Sequence, residues 1–180
     1  MSRGLRFLAL ACAVLVATAG SSAAQSATSA NLKDELLRDW LDMKQTMTKL
    51  AAEMPADKYS FKTTPPQRDF AQQVLHVAQA NVMNLRFLRG TATVPTISRT
   101  ATSKEESMKA MADSFDFGTA LIKEQTDQSL MEIVQTNAFL GPSSRARVIY
   151  FLLGHSWDIY GQMVVYLRLN GGVPPASQRP

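Results

Sequence analysis

Apolar residues recur at steps of three and four in four separate stretches of this chain, each bounded by turn or capping residues. That period gathers them on one face of a helix and predicts an all-α fold, a four-helix bundle. The first helix is expected over about residues 32–54. Leu36, Trp40, Met43, Met47, Leu50 and Met54 form its seam, Asp34 and Glu35 suit its N-terminal dipole, and Pro55 stops it. A turn-rich loop follows (ADKYSFKTTPPQ, 56–67), whose Tyr59 and Phe61 can fold back as a lid over one end.

The second helix starts at Gln67 or Arg68 and runs to Arg89, with Gly90 beyond it. It is apolar around most of its circumference, the mark of a buried helix. His76 shares a stripe with Gln72, Ala80, Met83 and Phe87 and should point inward. A polar connection containing Pro95 leads to Ser103 and Glu106, which have capping-box spacing. They open a third helix with Met108, Met111, Phe115, Gly118 and Ile122 on its seam, ending near 125–127. Residues 130–140 are ambiguous between a loop and a short helical turn. Every proline falls outside the four helical stretches, and strand alternation is absent.

The last helix, within 142–172, follows a Gly-Pro-Ser-Ser break. Val148, Leu152, His155, Ile159, Gln162 and Tyr166 share one stripe; Ile149, Leu153, Ser156, Tyr160, Met163 and Leu167 run beside it. Tyr150, Trp157 and Val164 lie roughly opposite, and Gly154 and Gly161 form a small-residue strip one heptad apart. That apolar circumference exceeds what one bundle needs. Either a second subunit covers it, giving a homodimer with Trp157 in or near the interface, or the 56–67 loop does.

Composition changes the picture at the N-terminus. A basic start (MSRGLR), about fourteen apolar or small residues and the small-residue site SSAAQ have the layout of a secretory signal peptide cleaved after Ala24. The apolar run is shorter than the roughly 20 residues of a membrane span, so no retained anchor is expected. Ala9 also stands where a lipoprotein signal ending at Cys12 would carry leucine. The expected order is a leader over 1–24, a lead-in over 25–31, one domain over 32–175 and a tail over 176–180. Export makes the protein periplasmic or extracellular. Losing Arg3 and Arg6 lowers the basic count from 19 to 17 against 15 acidic residues. The near-neutral balance and dispersed basic residues argue against a nucleic-acid partner. Cys12 leaves with the leader, and an ordinary apolar core must then hold the chain.

The candidate chemistry is two histidines, His76 and His155. A lone histidine on an apolar stripe is more often a hydrogen-bonded core residue than a ligand, and zinc needs three or four converging donors. Residue type and spacing stop there. The segments HVAQAN around His76, HSWDIYGQMVVYLRLNGGVPP, MPADKYSFKTTPPQRDFAQQVLH and SFDFG resemble the DinB-like (DinB/YfiT) superfamily of four-helix bundles, in particular its exported bacterial branch. The resemblance covers 32–175. It implies a divalent-metal site made of one histidine on the second helix and a pair at i and i+4 on the fourth. It also implies frequent dimers, and relatives that act as metal-dependent transferases or isomerases on low-molecular-weight thiols.

Carried over by position, His76 and His155 match two ligands, and the third falls on Ile159, which has no donor. The expectation is therefore an exported protein with a degenerate metal site that binds a small molecule or retains no catalysis. Met83, Leu152, Ile159 and Tyr160 would line the pocket. A divalent ion (zinc, nickel or manganese) would be weakly held or absent. The alternative is a metal-dependent transferase or hydrolase using His76 and His155, with Asp158 or Gln162 recruited as further ligands and Tyr160 positioning the substrate. A Ser-His-Asp set and a glycine-rich phosphate loop are both missing.

Overall fold

A computed structural model describes residues 30–178. The leader, its cleavage site and most of the lead-in lie outside the described residues. Four long helices carry the structure: α1 (Leu32–Glu53), α2 (Phe70–Leu85), α3 (Lys104–Lys123) and α5 (Arg145–Leu169). A one-turn α4 (Asp127–Leu130) lies between the last two. Each long helix begins at a residue whose side chain accepts from a backbone N–H of the first turn: Asn31, Asp69, Ser103 and Ser144. Such caps satisfy donors that a helix start leaves without partners.

The second helix begins at Phe70, two or three residues later than the expected start at Gln67 or Arg68. Asp69 and Gln72 form a reciprocal capping box there, and residues 67–69 stay outside the helix. Its last turn tightens into a 3-10 helix over Arg86–Leu88, and Arg89 then takes a positive φ of 51°. The ambiguous 130–140 stretch begins at the last residue of α4 and holds β1 (Ile133–Val134), which pairs antiparallel with β2 (Ser143–Ser144). Two residues are too few for alternation to show in sequence.

The helices α1 and α2 each pack against both α3 and α5, closing a ring in which sequence neighbours α1 and α2 stand diagonally. The 54–69 connection therefore crosses an end of the ring. Tyr59 is buried there, donating to the Ala51 carbonyl at 2.8 Å and meeting Phe70 edge-on, while Phe61 packs against Tyr166. Inside the ring, one cluster includes Trp40, Met47, Phe70, Met111, Phe115, Leu152 and Met163, all essentially inaccessible to solvent. Such density makes core substitutions costly.

The 56–67 loop does not cover the outer face of α5. It is used at the ring end, and Trp157 stays 54% exposed with Tyr150 more open still. Among the described residues, a Cβ at Gly154 or Gly161 would meet nothing within 4 Å, which leaves that strip open. Among the described residues, no helix is long and apolar enough to cross a membrane.

Candidate functional site

The packing of α2 on α5 brings the two histidines together. The His76 and His155 ring centroids are 4.9 Å apart and the rings meet nearly edge-to-face, at 79°. Phe151, one turn before His155, lies parallel to its ring with centroids 6.1 Å apart; Phe139 stands 5.7 Å from Phe151. Asn137 fixes the loop that carries Phe139 by donating to the side-chain carbonyl of Asn84 on α2 at 3.1 Å. An aromatic file thus runs from an exposed loop to His76.

Burial is the main reason both imidazoles resist protonation. His76 is pushed down to about 4, first by desolvation and then by Arg68 and by His155, with Asp158 opposing. His155 is lowered by desolvation, with Asp158 opposing and Arg68 adding to the effect. Arg68 is held nearby because its carbonyl accepts from the Tyr166 hydroxyl at 2.6 Å. Both rings are therefore neutral at pH 7, each with one nitrogen lone pair free to accept. His155 Nε2 is buried and has no hydrogen-bond partner among the described residues.

A histidine whose pKa is lower in the folded than in the unfolded chain takes up a proton on unfolding. The associated stability is intact above the unfolded value near 6.5 and is lost as pH falls from there toward about 4. Because the rings are partly solvated, the loss by pH 5 is discounted to about 1 kcal/mol. Denaturant midpoints at pH 7.5, 6 and 5 read it directly. The His76→Gln, His155→Gln double variant should flatten the profile, and an equal slope in both proteins would show that other groups carry it.

The remaining sequence candidates are placed as follows. Asp158 and Gln162 belong to a chain of amides: Gln73 donates to the Gln162 carbonyl at 2.9 Å, and Gln162 donates to Asp158 at 3.2 Å. Ile159 is 2% exposed and lies in the core cluster with Leu152. Tyr160 is half-buried against Trp157. Met83 is 59% exposed and lines an outer cleft together with His76. His155 instead borders a groove with Phe151, Arg147 and Asp158. The rings abut, and the open space lies in these two depressions.

A divalent ion held by three protein donors does not fit these residues. The third position is a buried alkyl chain, and Gln162 is engaged at its carbonyl by Gln73 and at its amide by Asp158. Among the described residues, no group of three or more His, Cys, Asp or Glu side chains is placed to hold a metal. Sequence reasoning missed Gln73, although a glutamine one turn before His76 on an apolar helix is a visible signal. It also missed Phe139, which sits in the ambiguous stretch.

A family model of the DinB superfamily matches residues 40–163. Among solved structures, a DinB-like protein from Bacillus cereus superposes with a TM-score of 0.68 at 18% identity, covering 79% of this chain and 95% of that one. A DinB-like protein from Bacillus subtilis gives 0.62 at 14% identity, covering 81% and 99%. Both likenesses concern the fold. No curated protein matches the chain.

Proposed function

Because the chain belongs to the DinB superfamily, we propose that it is an exported four-helix-bundle module of that family whose metal site is degenerate and whose histidine pocket binds a small molecule. One observation carries this reading: two neutral imidazoles converge from α2 and α5, while the position one turn beyond His155 is Ile159, packed into the core. Neutral rings bordered by Phe151 and Met83 offer one or two hydrogen bonds within an apolar surround, the usual make-up of a small-molecule site. The orphaned Nε2 of His155 favours a second reading, a divalent-ion enzyme that uses the two histidines alone. Equilibrium dialysis against zinc, nickel and manganese separates the two. Binding weaker than about micromolar supports the module, and a stoichiometric tight site overturns it.

The exposed Trp157, Tyr150 and the open Gly154–Gly161 strip suit a second copy of this chain. A homodimer whose mature chain begins at Gln25 is expected. Light scattering and intact mass of protein recovered from the cell envelope check both points. Trp157→Glu should shift the dimer to monomer; a monomeric native protein rules the interface out.

A further inference from the structure

Beside His76, a cleft of about 680 Å³ lies between α2 and the 94–99 segment. That volume is within the range of small-molecule sites. One wall is the α2 face that carries His76, Gln79, Met83 and Arg86, at steps that keep them on one side. The other wall is extended chain, with Val94, Pro95 and Ile97 supplying apolar surface and Arg99 a charge. No acidic side chain among the described residues lines the cleft. Among the described residues, neither Arg86 nor Arg99 forms a salt bridge, although five other ion pairs are present.

Two guanidinium groups lining one cleft, without a carboxylate among its walls in the described residues, offer charged N–H donors that an anion can engage. Arginine binds planar carboxylates through paired N–H donors. Met83 and Val94 are unusually exposed for their type, and both face this space. A thioether side chain adapts to irregular apolar partners.

We infer that this cleft binds an amphipathic carboxylate, its head between Arg86 and Arg99 and its hydrocarbon body along Met83, Val94, Pro95 and Ile97 toward His76. The inference deepens the small-molecule reading above and rests on it. Three probes test the full chain by isotope-edited NMR of the histidine rings and by calorimetry: octanoate, acetate (the head alone) and octanol (the body alone).

Octanoate should saturate and move the His76 signals, with acetate and octanol at least about tenfold weaker. The Arg86→Gln, Arg99→Gln double variant changes only exposed side chains, so it should fold normally. It should weaken octanoate by about tenfold or more and leave octanol unchanged. If octanol equals octanoate, or the double variant binds octanoate as the native chain does, the cleft still holds a ligand but the anion assignment falls. If none of the three probes moves the His76 signals, the small-molecule reading falls, and this inference with it.

Discussion

Replacing Ile159 by histidine is expected to lower stability by about 1–3 kcal/mol without metal and to create a zinc response that the native protein lacks. The loss arises because Ile159 is 2% exposed within the core, where an imidazole without partners bears a desolvation cost. The gain arises because positions 155 and 159 share one helical face, and His76 already stands 4.9 Å from the His155 ring. Three imidazoles plus water make a complete zinc shell. At a free zinc concentration about a hundredfold above the dissociation constant, the variant should gain about 2.7 kcal/mol in thermal or denaturant unfolding. The native chain should gain close to nothing. Ile159→Asn separates the two effects, since it buries a polar group without adding an imidazole: it should lose stability and stay indifferent to zinc. Equal zinc stabilisation of the native and Ile159→His proteins would mean that a competent site already exists.

Trp40→Ala should be the most damaging single truncation, at about 3–5 kcal/mol. Trp40 is fully buried between α1 and α3, with its ring 5.0 Å from that of Phe115. Gly118 leaves room for the indole, since any Cβ there would run into it. The indole N–H donates to the Phe115 carbonyl at 2.9 Å, but Thr119 also donates to that oxygen. Losing the indole therefore orphans nothing, and the cost is mainly the cavity. Trp40→Phe should accordingly recover a large part of the loss. Urea unfolding midpoints of the three proteins decide it. A loss below about 1 kcal/mol for alanine would show that the α1–α3 seam closes over the gap.

Much of this was legible in the chain. The seam of Leu36, Trp40, Met43, Met47 and Leu50 is buried as its spacing indicates, because the 3.6-residue period is a local property of the sequence. The caps Ser103 and Ser144 were readable for the same reason. The α2 start was placed two or three residues early, among the polar residues Gln67 and Arg68, while the Asp69–Gln72 box decides the true boundary. Met83 illustrates a different limit. Helical periodicity puts it on the His76 stripe, but whether that stripe faces a neighbour or a cleft depends on where the 94–99 segment lies.

By itself the sequence determined the all-α class and the four long helices, since both depend on residue identity and short-range spacing; Ile159 standing at a ligand position is what the family resemblance implies. The tertiary structure alone decided that His76 and His155 touch. It also linked Gln73 through Gln162 to Asp158, and it set Arg86 and Arg99 over one cleft. Those pairs are separated by a dozen to nearly ninety residues, and long-range proximity is set by how the helices pack, which no local pattern encodes.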